Sequence, residues 1–488
     1  MYHISDIKRF RKCPRLYYLS QINQPEYIQY LRNDETLTPL IKEYLDIKDC
    51  YEGCQGDPKD RVLKSIEKYE WFIKPRFEFD RLRIKIPVLH KTDNGFDVYF
   101  TLGVLYPKED DVDYYRYHIY VLEKNQIKVN HIYIIHLNAK YVFKEHLDVE
   151  KLFLTSTDFY NSKNHKVSKI KNKIRERNVS VIPYLNAMDQ GSLEDYPPRR
   201  VRFCKGRQTC PFYHQCFEET ELPDDSILHL VASRYKNQMY QKGILYLKDA
   251  DSSLVEGNKC QYAQIMASKN GGLYYDYYPL KTWLDAISAR PLVFIDFEWE
   301  RYLIPQFEGL KPYDVVCFEY SIHILNENGE VTHNAFIGTG DDREDFIKAL
   351  LRDVPKGAKL VAYNAVGAEV LRIKELAAQF PKYANELLDI AGRFVDMSDP
   401  FLNGMIYHTK MRGNYSVKSL LNVVSDLTYK DLSISNGMDA VLEWRKIDRH
   451  ETEGDENIIK NDLIEYCSLD SYSLYLIYKW LVKIITDK

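Results

Sequence analysis

The run LVFIDFEWE, residues 292–300, sets Asp296 and Glu298 two positions apart inside an otherwise apolar, strand-like stretch. Side chains two apart on a strand share a face, so both acids meet the same partner while Ile295 and Phe297 point into the opposite layer. Near the other end, Tyr466 and Asp470 stand four apart in NDLIEYCSLDSYSLYLIYKWLVKII, whose apolar residues recur at helical spacing. Glu369 opens a helical stretch directly after the strand-like KLVAYN, at the C-terminal edge of a strand, where α/β sites usually form. Four carboxylates that converge repel one another and raise one another's pKa. Such a cluster calls for Mg²⁺ or Mn²⁺, hard ions that take oxygen ligands. Two of these ions together would activate a water and stabilise the leaving oxygen of a phosphodiester.

Sulfur forms the other constellation. Cys204, Cys210 and Cys216 fall within FCKGRQTCPFYHQCF, among Gly, Pro and polar residues that give them no core to fill, so they read as ligands. Cys50 and Cys54 form CYEGC, and Cys13, Cys260, Cys317 and Cys467 stand alone. The opening MYHISDIKRF has no apolar signal-peptide core, and no segment approaches the roughly 18 apolar residues of a membrane span. A cytoplasmic location is therefore expected, with no membrane partner and no disulfide framework.

These groups need elements to hold them. At 488 residues the chain is too long for one ordinary core, and 45% hydrophobic against 28% charged residues excludes a disordered chain. Residues 60–145 read as a mixed α/β unit, with RLRIKIPVLH and FDVYFTLGVLY flanking the hairpin signal KTDNG. ELPDDS marks a polar break. We expect a first domain over 1–220, a bridging region over 221–290, and a second α/β domain over 291–488 in which three strands precede alternating helices and strands. The net charge of −4 offers no overall field for nucleic acid. A local patch such as HKVSKIKNKIRER, residues 165–177, would have to supply one, with tyrosines as base-stacking platforms.

FIDFEWE with YCSLD resembles the first and last motifs of the DEDD exonucleases, a branch of the ribonuclease H-like fold, in their tyrosine-bearing form. The resemblance implies a two-metal exonuclease working from 3′ ends, with Asp296, Glu298, Glu369 and Asp470 as metal ligands and Tyr466 orienting the attacking water. The second motif departs from the pattern: YNAVGAE has Glu in place of Asp, and Asn364 lies five residues before it instead of four. DFEWERYLIPQFEGLKPYDVVCFEYSIHI, AYNAVGAEVLRIKELA, VDMSDPF and GNYSVKSLLNVVSDLTYKDLSISNG together look like a bacterial family filed as a domain of unknown function, whose members join this exonuclease-like domain to an N-terminal nuclease-like one. In that pattern Asp396 caps or orients, and Glu319 stands where the family carries Gln.

The start, ISDIKRFRKCPRLYYL, is similar to RecB-like, restriction-endonuclease-like nucleases that carry an iron-sulfur cluster, including those that serve CRISPR adaptation. The similarity implies that Cys13, Cys204, Cys210 and Cys216 hold a [4Fe-4S] cluster, for which four thiolates are the usual set. Zinc in a Cys₄ site is the chemical alternative, and Cys50 with Cys54 could replace Cys13 in either. The acids and lysine of a RecB-like site fall on Pro87, Phe100 and Leu102, none of which binds a hard metal. Asp97 remains near the hairpin, and His118 stands where such nucleases often carry Gln. The N-terminal domain is therefore expected to be catalytically silent.

The expectation is a metal-dependent 3′-to-5′ exonuclease for single-stranded DNA or RNA ends, with partners in repair or defence left open. The rival is a non-catalytic nucleic-acid-binding or assembly protein derived from nucleases. An iron-sulfur redox enzyme has little support, because no flavin or dinucleotide fingerprint accompanies the cysteines.

Overall fold

A computed structural model describes residues 1–23, 33–179, 181–201, 203–205, 209–217, 222–452 and 454–487. The chain is mixed α/β and divides into two compact units. The first is Met1–Glu218 with Leu303–Tyr313, and the second is Glu219–Tyr302 with Asp314–Lys488.

The first unit opens with helices α1 (Ile4–Lys12) and α2 (Pro14–Ile22). Its main sheet runs in chain order through β1 (Tyr51–Glu52), β2 (Trp71–Ile73), β3 (Val88–Thr92), β4 (Gly95–Leu102), β5 (Val129–Leu137) and β6 (Phe153–Ser156). The expected hairpin joins β3 to β4, antiparallel with Val88 opposite Tyr99 and Thr92 opposite Gly95. Gly95 has φ +133°, and a Cβ there would stand 2.4 Å from the Lys128 carbonyl oxygen, so only glycine fits. Helix α3 (Val112–Lys124) carries the chain across to β5, which lies parallel to β4. Phe96, Val98 and Phe100 alternate onto one face and join Leu89, Ile132, Ile134, Ile119 and Leu122 in a core. Ile73, Val88, Ile135 and Leu137 bury the other face with Leu37, Ile41, Leu303 and Ile304.

The second unit is built on β7 (Leu292–Arg301), β8 (Val315–Leu325), β9 (Val331–Ile337), helix α4 (Arg343–Asp353), β10 (Lys359–Ala362), helix α5 (Glu369–Gln379) and β11 (Phe394–Asp396). The sheet order is β9-β8-β7-β10-β11. The β7–β8 and β8–β9 pairs are antiparallel, while β7–β10 and β10–β11 are parallel. Helices α6 (Val417–Val424), α7 (Gly437–Asp448) and α8 (Glu456–Thr486) follow. Val293, Ile295 and Phe297 enter a core with Phe346, Ile347 and Ile373. Leu292 and Phe294 face the other way, against Leu474, Ile477 and Tyr478 of α8. The two-residue alternation of β7 thus decides which of its side chains meet α8.

The structure differs from the sequence expectation at two places. Residues expected to bridge, 221–290, build part of the second unit's core: Ala263, Ala267, Leu280, Trp283 and Leu284 pack with Leu292 and Phe294, and Leu273–Tyr275 pairs with Ile406–His408. The polar break at its start and the KNGG turn resembled a linker, but the apolar faces of its helices need a partner. The expected boundary at 220 lies outside the described residues. Residues 303–313, expected in the second domain, group with the first unit, where Leu303 and Ile304 are buried and Leu310 and Gly309 exchange backbone hydrogen bonds with Phe143 at 2.8 and 2.9 Å.

Helix α7 is pinned at the end of β7. Glu300 is fully buried and accepts from Arg445 Nη2 at 3.0 Å, while Trp444 stacks on Phe318 at 4.5 Å and donates to the Gly338 carbonyl at 2.8 Å. Replacing Arg445 by Met removes the guanidinium that neutralises a buried carboxylate. The second unit should lose about 3–5 kcal/mol of stability, read from the urea midpoint of tryptophan fluorescence, and a loss below 1 kcal/mol would contradict this view of the pair.

Candidate metal centre

Strand β7 presents Asp296 opposite Ser321 and Glu298 opposite Glu319, the second pair next to a register shift at Glu298/Trp299. Helix α8 turns Tyr466, Cys467 and Asp470 toward that strand, with the Cys467 thiol 3.5 Å from Asp296 Oδ2. One carboxylate oxygen each from Asp296, Glu298 and Asp470 lies within 4.8 Å of the others. Among the described residues no other three His, Cys, Asp or Glu ligand atoms gather so closely. The pairing expected from strand and helix periodicity is thus present, across some 170 residues of sequence.

Glu369 stands just outside this trio. It is the first residue of α5, 2% exposed, and its Oε2 has no hydrogen-bond partner. The preceding turn is tight: Asn364 takes φ +57°, and its N–H donates to Asp396 Oδ1 at 2.9 Å. The same oxygen accepts from the Ser398 N–H at 2.8 Å and its hydroxyl at 2.7 Å. Asp396 therefore orients the turn that delivers Glu369.

Burial, and then the acids' mutual repulsion, pushes Asp296 and Glu298 well above the usual carboxylate range. Burial foremost lifts Glu369 to about 8, with the Asp396 and Asp470 charges adding to it. Asp470 also rises through burial, restrained by the Tyr429 hydroxyl, which donates to its Oδ1 at 2.6 Å, and by the Lys418 charge. The Lys418 ammonium lies 4.7 Å from the Tyr429 ring centre and 5.2 Å from that of Tyr466. Burial and the surrounding acids drive the Tyr466 hydroxyl far above its usual pKa, so it stays protonated and available as a donor. Gly437, at the start of α7, comes so close to Glu298 that a Cβ would lie 3.4 Å from Oε2.

Lys418, Tyr429, Cys467 and Gly437 have no role in the sequence reading. Tyr429 sits in a single turn, Tyr429–Asp431, with no periodicity to reveal it, and Lys418 is one cation among many on amphipathic helices.

In the first unit all four predicted cysteines line one cavity of about 480 Å³ with Leu16, Leu19 and Phe212. Cys13 is the hinge residue between α1 and α2. The Cys210 N–H donates to the Cys204 carbonyl at 3.0 Å, and Cys216 ends the turn Tyr213–Cys216. Residues 206–208 of this segment lie outside the described residues. Burial raises the Cys204 and Cys210 thiols above their ordinary pKa. No three of the four sulfurs come within 4.8 Å of one another. A zinc tetrahedron with bonds of ~2.3 Å needs sulfurs about 3.8 Å apart. Cys50 and Cys54 do not line the cavity: the Cys50 thiol lies 3.9 Å from Glu52 Oε1, and the Cys54 N–H donates to Asp57.

The hairpin of this unit holds no comparable set of acids. Phe100 is buried 4.6 Å from the Tyr115 ring and edge-on to His118 at 5.6 Å. His118 is buried as well, with its pKa lowered to about 4 by that burial and Nδ1 2.8 Å from the Tyr114 carbonyl oxygen. Leu102 and Pro87 are half-buried, and Asp97 Oδ1 accepts from the His131 N–H at 3.0 Å. The basic run 165–177 is largely paired: Lys166 and Lys169 with Asp158, Lys173 with Glu109, Arg177 with Asp113.

A carboxyl whose pKa is raised by folding keeps a proton that the unfolded chain has released. Its stabilising contribution is full below roughly pH 4, the unfolded value, and is lost as the pH rises through the folded one, about 8 for Glu369. The thermal midpoint in EDTA should therefore fall between about pH 5 and 8. Added Mg²⁺ or Mn²⁺ should raise it more at the higher pH, because carboxylate ligands bind deprotonated. A midpoint independent of both pH and metal would contradict this account.

Comparison with known proteins gives one match. A family model described as Domain of unknown function (DUF2779) matches residues 293–416, a span that carries Asp296, Glu298, Glu319 and Glu369 and ends before Lys418, Tyr466 and Asp470. No curated protein and no solved structure matches the chain.

Proposed function

We propose that the second unit is a metal-dependent 3′-to-5′ exonuclease for single-stranded DNA or RNA, and that the first unit holds an iron-sulfur cluster and positions the nucleic acid. The observation that carries this reading is the meeting of Asp296, Glu298 and Asp470 oxygens within 4.8 Å, with the unpartnered Oε2 of Glu369 in electrostatic reach of them and Tyr466 one turn before Asp470. A sheet of three antiparallel strands continued by two parallel ones agrees with a ribonuclease H-like domain.

Divalent cations at this centre supply a polarised water and neutralise charge at the phosphodiester. The chain's own groups do the rest. Asp296, Glu298, Asp470 and Glu369 would hold the cations. Tyr466, kept protonated, donates a hydrogen bond that orients the attacking water. Tyr429 fixes the Asp470 carboxylate, and Lys418 stands over both tyrosine rings as the nearby positive charge.

In the first unit, the hairpin followed by a helix and a parallel strand agrees with a RecB-like relative. Its buried Phe100 and His118 support a silent one. Four thiols around one cavity support the cluster.

With Mg²⁺ or Mn²⁺, 5′-labelled single strands should shorten from the 3′ end, and circular single strands should survive. Asp296→Ala should slow this about a hundredfold or more, the scale on which one stabilising group at a reacting centre acts, with the chain still folded. Cleavage of circles, or full activity in Asp296→Ala, would reject the assignment. Anaerobically purified protein should be brown with about four irons, losing both on Cys210→Ser. A colourless preparation with stoichiometric zinc would reject the cluster.

A further inference from the structure

Glu319 lies in the middle of β8, where every residue is buried, and is itself fully inaccessible. Neither of its carboxylate oxygens has a hydrogen-bond partner. It is the direct cross-strand neighbour of Glu298, and its charge acts on Glu298 and Asp470. A buried carboxyl with both oxygens unsatisfied is costly in either protonation state, because the ionised form needs cations or donors and the neutral form needs an acceptor for its proton. Neither oxygen finds such a partner, while Glu298, Asp470 and the Cys467 thiol act on it electrostatically, and a cation shared with Glu298 would satisfy the carboxylate.

We propose that Glu319 is a further ligand of the carboxylate centre, taking up a divalent cation together with Glu298. Adjacent strands place Glu298 and Glu319 side by side, as close cross-strand neighbours on one face. The centre then contains more carboxylate than the four acids of the exonuclease pattern, and it favours hard divalent ions that take many oxygen ligands. This rests on the metal-dependent reading above but concerns a residue that reading does not use.

The test is Mn²⁺ binding by the full chain, followed by the loss of the free-ion signal in electron paramagnetic resonance, which needs no substrate and no turnover. Wild-type protein should bind Mn²⁺, and Glu319→Gln, of nearly equal size, should bind at least tenfold more weakly. Glu319→Asp keeps the charge on a shorter arm and should fall between them, which guards against a folding defect in the amide. If Glu319→Gln binds as tightly as wild type while Asp296→Asn does not bind, the role of Glu319 is rejected and the metal-dependent reading stands. If wild-type protein binds no Mn²⁺, both fall.

Discussion

Like charges brought together out of water are the constraint on which the second unit turns. Asp296, Glu298, Glu319, Glu369 and Asp470 act on one another electrostatically, and each is raised above its ordinary pKa, first by burial. Left to themselves the strands and helix carrying them would separate. What holds them is apolar and lies to either side of the acids. Ile295 and Phe297 are buried under α4 and α5, and Phe294 against Tyr475 and Tyr478 of α8. The buried Glu300–Arg445 pair anchors α7 one pleat further on. The β7–β8 ladder continues on both sides of Glu298, so its position is fixed at two levels. The core thus sustains an arrangement that its charged centre opposes until a cation arrives, and the same repulsion that strains the metal-free protein is the source of affinity for the ion.

The two units make opposite use of a similar plan. Each has a β-hairpin followed by a helix and a parallel strand, but the cluster of acids lies in the second. In the first unit β4 carries Phe100, and the aromatic rings of Tyr114, Tyr115 and His118 fill the space between β4 and α3. That region is satisfied without a ligand. Its unfilled feature lies elsewhere, where Cys13 joins Cys204, Cys210 and Cys216 around an apolar-walled cavity. Because Cys13 sits between the first two helices and the others lie some 190 residues later, whatever binds there closes a very long loop and ties the ends of the unit together.

Much of this could be read from residue spacing alone. Period-two alternation set the facing of Asp296 and Glu298, and the four-residue interval set Tyr466 with Asp470. Both hold in the structure, because strand and helix geometry fix them locally. The early Cys13 and the late cysteines line one cavity. What escaped were features decided by tertiary contact. Tyr429 reaches the acids from a single turn and Lys418 from the start of the short helix α6, and residues 303–313 leave the second unit directly after its longest ladder. The region 221–290 was misjudged for a related reason. Its helices have weak or short amphipathic patterns, and their burial becomes evident only beside β7 and α8.

The placing of Glu369 has a local explanation. A carboxylate delivered from the start of a helix depends on the bend before it, between Asn364 and Glu369. Asn364 absorbs it in the left-handed region, which asparagine tolerates better than most residues. Gly367 permits close approach, for a Cβ there would lie 3.0 Å from the Asn364 amide. Asp396 holds the entry through three hydrogen bonds to one oxygen. The turn is therefore well determined, and Glu, one methylene longer than Asp, carries its carboxyl further from the helix start. At the first position of α5 that carboxyl also benefits from the helix N-terminus and from the Arg372 charge. Turn and side-chain reach thus act together to bring a buried, unpartnered oxygen within electrostatic reach of Asp296 and Asp470.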